Sequence, residues 1–185
     1  MDEDRVKKLI RELIIEIGED PTREGLKDTP RRIASAYKEI FAGYDSDSEL
    51  SVQFSEDSET VVVRDIQFYS MCEHHMLPFY GKIMLAYSPN GRVFGISKLV
   101  RLVEKYSKRL QIQERMTKNI ADELYSQGVK GVAVIAEAEH LCMKMRGVRN
   151  DANVISAAFR GIFETKEEKA NIIKLIKNPS KTSFI

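Results

Sequence analysis

The chain has 185 residues, of which 43% are hydrophobic and 31% charged, a balance typical of a globular protein with a real core and a soluble surface. It carries 29 Lys and Arg against 28 Asp and Glu, and the net charge of +1 excludes a broad field for nucleic acid or a membrane surface. The start is acidic and lacks the order of a signal peptide, and no apolar run approaches the length of a membrane span. We therefore expect a cytoplasmic protein with no nucleic-acid and no membrane partner.

The first forty or so residues have helical periodicity. Gly18 ends a first run, and Asp28 and Pro30 supply a cap and a first-turn proline for a second helix that continues through Phe41. The apolar residues on one face of the first helix are Val6, Leu9, Ile10, Leu13, Ile14 and Ile17.

A polar stretch over residues 44–57 separates this arm from the rest of the chain. We place the domain boundary at its end, which gives an N-terminal helical arm and connection over 1–57 and a body over 58–185.

Beyond residue 60 the pattern changes to that of strands. β-Branched residues predict a strand over 60–68, and a second strand over 78–87 is followed by a turn and a short return over 92–95. Two amphipathic helices are predicted next, over 97–110 with Ser97 as N-cap and over 113–127.

Strands return in the last third of the sequence. Apolar and polar residues alternate over 132–142, so that His140 and Cys142 share one face if the strand persists that far. A strand over 152–163 and a terminal helix over 166–177 follow. The order strand, strand, helix, helix, strand, strand predicts an α+β fold, an antiparallel sheet with the helix pair on one face.

All the histidines and cysteines lie in two short clusters. Cys72, His74 and His75 form the first cluster, and His140 and Cys142 form the second. Two thiols and three imidazoles are ligands that zinc prefers, although copper and iron also accept them. A disulfide between the two cysteines is the alternative, and a reducing cytoplasm argues against it.

Two ligand sets fit these clusters. A closed structural site would use Cys72, His75, His140 and Cys142, whereas a catalytic site would use three of these and leave a position for water. The His74 side chain leaves the backbone in a different direction and is not expected to join them. A histidine beside a metal but not bound to it is suited to proton transfer, which favours the catalytic interpretation.

Basic residues in two segments are candidates for binding an anion. Ser97, Lys98 and Arg101 lie at a predicted helix N-terminus, and Arg146 and Arg149 follow the second metal cluster. A solvated helix face is the plainer interpretation of the first segment.

Gln113 and Glu114 begin the second predicted helix. Alone, Glu114 is typical of a charge at a helix N-terminus, but a carboxylate can also accept both hydrogen-bond donors on the edge of a guanine base.

Four motifs in order, SMCEHH (70–75), GISKLVR (95–101), QIQER (111–115) and HLCMKMRGV (140–148), resemble the GTP cyclohydrolase I family, as does DTPRRIA (28–34). The resemblance covers roughly residues 5–178. It implies conversion of GTP and water to 7,8-dihydroneopterin triphosphate and formate, the first step of tetrahydrofolate or other pterin synthesis. It further implies the tunnelling fold, in which subunit sheets join into a barrel, usually a homodecamer with sites between subunits. Allosteric regulation is compatible with it.

The resemblance also assigns roles to residues. Zn²⁺ would be bound by Cys72, His75 and Cys142, and protons would be transferred by His74 and His140. The guanine edge would be bound by Glu114 with Gln113 beside it, and the triphosphate by Ser97, Lys98, Arg101 and Arg146, with Arg32 arriving from a neighbouring subunit.

Two positions depart from the family pattern. Ser35 stands where many relatives have a second basic residue, which puts one contact between subunits in doubt, and Ile96 replaces a more usual leucine. Two rival interpretations are a zinc-stapled interaction protein without catalysis and an enzyme of the same fold acting on another purine or pterin.

Overall fold

The computed structural model describes residues 1–45, 50, 53–56 and 58–177. The helices are α1 (Glu3–Glu16), α2 (Thr29–Ile40), α3 (Ile96–Ser107), α4 (Gln113–Tyr125), α5 (Leu141–Lys144) and α6 (Lys166–Lys177). The strands are β1 (Gln53–Ser55), β2 (Val61–Cys72), β3 (Pro78–Ser88), β4 (Arg92–Phe94), β5 (Leu110–Gln111), β6 (Gly131–His140) and β7 (Val154–Gly161).

The main sheet has five strands in the order β5-β2-β3-β6-β7. The four long strands are antiparallel, and the two-residue β5 runs parallel to β2. Along the chain the long elements of the body are two strands, two helices and two strands, followed by α6. The chain is therefore a mixed α+β protein. Within the described residues β7 pairs only with β6, so its other edge is open.

Apolar alternation in the central strands divides the core between the two faces of the sheet. Phe79, Ile83 and Leu85 of β3 are fully buried in a cluster with apolar residues of α3 and α4. The opposite face carries Ala86 in a smaller cluster, to which α6 contributes Ile176. The helix pair thus covers one face, and the terminal helix covers part of the other.

The helical arm meets the body at Gly43, in a 3₁₀ turn after α2. The Gly43 N–H donates to the Lys108 carbonyl at 3.0 Å, and the Arg109 Nε–H donates to the Gly43 carbonyl at 3.0 Å. A Cβ at Gly43 would collide with the carbonyl oxygens of Lys105 and Lys108. Only glycine allows the backbone at position 43 to come this close to the end of α3. The close approach holds the arm beside β5.

Two boundaries differ from the sequence prediction near the metal clusters. β2 continues to Cys72 instead of ending at residue 68, because its last residues pair with the start of β3. β6 ends at His140, which pairs with Phe79 next to the first residue of β3. With no partner strand beyond that point the chain turns into α5, so the expectation that His140 and Cys142 share a strand face is wrong.

Two further expectations are corrected. The N-cap of α3 is Gly95 and not Ser97, because the tyrosine hydroxyl of Tyr87 accepts the Phe94 N–H at 3.0 Å and leaves Gly95 as the single connecting residue. Part of the predicted polar connection forms β1, which pairs with β4. The predicted domain boundary at residue 57 lies outside the described residues.

Among the described residues no helix is both long and apolar enough to cross a membrane.

Candidate metal centre and nucleotide site

The first metal cluster lies in a tight turn at the end of β2. Cys72 pairs with Gln111 of β5 and is 6% exposed. The Met76 N–H donates to the Cys72 carbonyl at 2.8 Å, and the Cys72 N–H donates to the Leu77 carbonyl at 2.9 Å. These bonds close the turn over residues 73–75, and the Glu73 N–H also donates to the Gln111 carbonyl at 3.1 Å.

Three side chains converge at this turn. The Cys72 Sγ lies 3.9 Å from His75 Nδ1, and the candidate ligand atoms of Cys72, His75 and Cys142 all lie within 4.8 Å of one another. In a tetrahedral zinc site, bonds of about 2.3 Å to sulfur and 2.0–2.1 Å to nitrogen separate these two atom types by roughly 3.6 Å. The donor set and its spacing therefore fit zinc with a small adjustment. These are the three residues to which the resemblance assigns the metal.

Cys142 reaches the group as the second residue of α5, which follows β6 directly. Burial raises the pKa of the Cys142 thiol, the neighbouring Cys72 raises it further, and Arg146 opposes both effects weakly. The thiolate is the form that binds a metal ion, so binding at this group would release the Cys142 proton.

His140 stands beside this group and is held by two contacts. Its ring is stacked on that of Phe79, with centroids 4.7 Å apart and planes 4° from parallel. Its Nε2 lies 2.8 Å from Oε1 of Gln113. Burial lowers the pKa of His140, and the charge of Glu114 opposes this. A histidine held in a fixed orientation beside candidate metal ligands is suited to proton transfer.

His74 is exposed and is not one of the three converging side chains. Its Nε2 is 4.0 Å from Oε1 of Glu73. The Glu73 carboxylate accepts hydrogen bonds from both terminal nitrogens of Arg115, which lies in the first turn of α4. The bond from Nη2 to Oε1 is 2.9 Å long. This bidentate pair ties the metal turn to the helix that begins with Gln113.

The two residues assigned to the base differ in surroundings. Gln113 is 1% exposed, and its amide is directed into the protein. Glu114 is exposed, and its carboxylate contacts no described cation within ion-pair distance. Of the two, Glu114 presents a carboxylate to an incoming molecule.

The first turn of α3 lies at the opposite end of the sheet from the metal turn. Phe94, just before α3, is bonded to Tyr87, which pairs with the first residue of β2, Val61. Cys72 is the last residue of that strand, whose length is about 35 Å at the usual rise per residue. The structure therefore does not bring Ser97, Lys98 and Arg101 to the metal group of the same chain.

The remaining two predicted cations lie on exposed surfaces. Arg146 follows α5 and is close enough to Cys142 to affect its thiol. Arg32 lies on α2, with its guanidinium 3.8 Å from the Asp28 carboxylate.

Two contacts at the site were not anticipated from the sequence. Phe79 and Arg115 fix His140 and the metal turn, but both act across pairs of elements that are distant in sequence. In the sequence, only the position of Arg115 next to Glu114 indicated that one of these two residues could belong to the site.

The family model for GTP cyclohydrolase I matches residues 6–177. The chain is 50% identical over 186 residues to GTP cyclohydrolase 1 of Hyperthermus butylicus, covering 100% of this chain and 96% of that protein. It is 51% identical over 183 residues to GTP cyclohydrolase 1 of Clostridium kluyveri, covering 96% and 99%. Among solved structures, the apo form of an archaeosine synthase QueF-Like aligns with a TM-score of 0.47 and 16% identity, over 57% of this chain and 97% of that one. The two full-length matches and the family model show that the chain belongs to the GTP cyclohydrolase I family of enzymes.

Proposed function

We propose that this chain is a zinc-dependent GTP cyclohydrolase that converts GTP and water to 7,8-dihydroneopterin triphosphate and formate. The observation that carries the proposal is the convergence of Cys72, His75 and Cys142 beside His140, in a chain of this family. A zinc ion bound by these three residues would supply Lewis acidity and lower the pKa of a coordinated water.

The histidines are assigned to proton transfer. Water can attack C8 of guanine only if that carbon is electrophilic, and protonation at N7 makes it so. We assign this proton to His140, held at a fixed angle, or to His74, exposed beside the turn, and assistance in cleaving the formamide to the other. Glu114 would accept the donors on the guanine edge, with Gln113 next to it on α4.

The triphosphate is assigned to Ser97, Lys98, Arg101 and Arg146, with Arg32 from another subunit. A separation of about 35 Å along β2 prevents the α3 residues of one chain from meeting its own metal group around one nucleotide. A second copy can place its α3 there. The site is therefore proposed to form between subunits.

The open edge of β7 supports assembly of this kind. A strand that pairs on one side only can continue the sheet into a neighbouring copy. We infer that the sheets join into the barrel of the tunnelling fold, as a homodecamer, and that the product enters tetrahydrofolate or other pterin synthesis.

The proposal is tested by incubating metal-loaded protein with GTP and measuring formate together with the absorbance of a pterin. Formation of both supports the proposal. A zinc-stapled protein without catalysis would give neither product, would unfold on chelation and would show no thermal shift with GTP.

A further inference from the structure

Gln113 is oriented by contacts on both sides of its amide. Its Nε2 donates to the carbonyl of Ala136 on β6 and to that of Val154 at the start of β7, both at 3.0 Å. An amide nitrogen has two protons and no free lone pair, so both protons are used. Since the two carbonyls can only accept, the nitrogen must face them and Oε1 must face the other way.

This orientation determines which nitrogen of His140 carries a proton. Oε1 of Gln113 only accepts hydrogen bonds, and it lies 2.8 Å from Nε2 of His140. Nε2 must therefore donate. In the neutral ring the other nitrogen, Nδ1, is then the unprotonated one.

Turning the ring over does not bring Nδ1 to this contact, because a 180° turn sets Cε1 in the place of Nε2. The ring lies 4.7 Å from the Phe79 ring at an angle of 4°, and Phe79 is fully buried. A flip would leave Oε1 of the buried Gln113 without its donor, which costs about 1–3 kcal/mol.

We propose that Gln113 is a positioning residue that holds His140 in the Nε2–H tautomer, so that Nδ1 is the atom that exchanges protons with the substrate. This rests on the proposed function, because it specifies how the same site presents its proton-transferring group. It gives Gln113 a role beyond its position beside Glu114.

The tautomer can be read directly from the metal-loaded protein. The chain has three histidines, so a sample labelled with ¹⁵N-histidine and sedimented for solid-state NMR gives few ring signals, and His140→Ala assigns them. We expect His140 to show a protonated Nε2 and an unprotonated Nδ1. An Nδ1–H tautomer in the wild-type protein overturns the proposal, and no GTP is needed for this result. Failure of the tautomer assignment is thus separate from failure of GTP turnover.

Variants connect the tautomer to turnover. Gln113→Met should give a mixture of tautomers and lower kcat at least tenfold, with KM for GTP within twofold. A wild-type spectrum and wild-type kcat in Gln113→Met overturn the proposal.

Thr117→Val is the matched control. Thr117 is also buried on α4 and links it to β7 through Ser156 Oγ at 2.7 Å, without touching His140. The control should keep both the tautomer and kcat. An equal loss of kcat in Thr117→Val would show that Gln113 acts only by holding α4 to the sheet, and the proposal would fail.

Discussion

The ring of His140 lies flat against the ring of Phe79 across the β3–β6 pair, with centroids 4.7 Å apart. The stack lies where β6 ends and α5 begins. His140 is therefore held by the sheet, whereas Cys142 is held by the helix. His140 and Cys142 are only two positions apart in sequence, yet their surroundings predict different roles.

That difference predicts opposite outcomes for two substitutions. Cys142→Ser removes one of three converging ligands and should lose both zinc and turnover. His140→Ala should keep zinc and lower turnover about 10²-fold or more, as expected for a general acid or base. Metal analysis after dialysis and formate release measure the two effects. Equal loss of zinc in both variants would instead indicate a closed four-ligand site.

Two inactive variants should complement each other if the site forms between subunits. Cys142→Ser lacks the metal half, and a Lys98→Ala, Arg101→Ala double variant lacks the α3 half at the far end of β2. Co-expression with random mixing should restore about a quarter of the wild-type sites. The measurement is GTP turnover of the mixed oligomer, purified through one tag on each variant. Turnover no higher than that of the separate variants would place the whole site in one chain.

Arg115 should influence metal binding without being a ligand. Its fork to Glu73 holds the turn between Cys72 and His75, so Arg115→Met should weaken zinc affinity about tenfold. Competition with a chromophoric chelator gives the affinity. Lys118→Met, one turn along α4, breaks only an exposed pair with Asp122 and serves as the control. A comparable loss in the control would show that general charge, and not the fork, is responsible.

Gly43 should not tolerate a side chain. Gly43→Ala forces a methyl group against two carbonyl oxygens of the α3 end, and we expect a loss of about 2 kcal/mol in unfolding free energy. The loss is measured by denaturant unfolding. In Gly25→Ala the new methyl would meet only the flexible end of Arg23, so that variant should match wild type. An unchanged Gly43→Ala would mean that the arm is not held where the structure places it.

Tyr106 predicts a pH dependence at the alkaline end. Burial and the hydrogen bond that Tyr106 donates to Glu123 at 2.6 Å raise the pKa of Tyr106 to about 12. The folded pKa lies above the ordinary value of 10.0, so the stabilisation is complete below pH 10 and is lost as pH rises to about 12.

Tyr106→Phe should therefore be less stable than wild type at pH 8, by about 2 kcal/mol, and the difference should shrink toward pH 12. Unfolding of both proteins across this range by denaturant checks the trend. A difference that is constant with pH would contradict it.

Some of the site could be predicted from sequence because the information is local or compositional. Cys72 and His75 lie in one turn, and all histidines and cysteines fall into two clusters, so a metal site followed without knowledge of the fold. Helical periodicity likewise predicted α4 with its first residue, Gln113.

The contacts that organise the site depend on pairings distant in sequence. The register that sets Phe79 opposite His140 joins residues 61 positions apart, and the bonds from Gln113 reach both β6 and β7. The sequence predicted Gln113 beside the guanine base. In the structure its buried amide faces the sheet. The length of β2 between the two halves of the nucleotide site was also hidden, because the end of that strand has no distinctive pattern.

The open edge of β7 has a consequence for the life of a newly made chain. Ile155 on this strand is 64% exposed, and the backbone groups beside it seek a partner strand. On the proposed assembly, this edge stays uncovered in a single copy until a second copy pairs with it. Productive assembly would therefore compete with aggregation, and a high concentration of unassembled chains should favour precipitation.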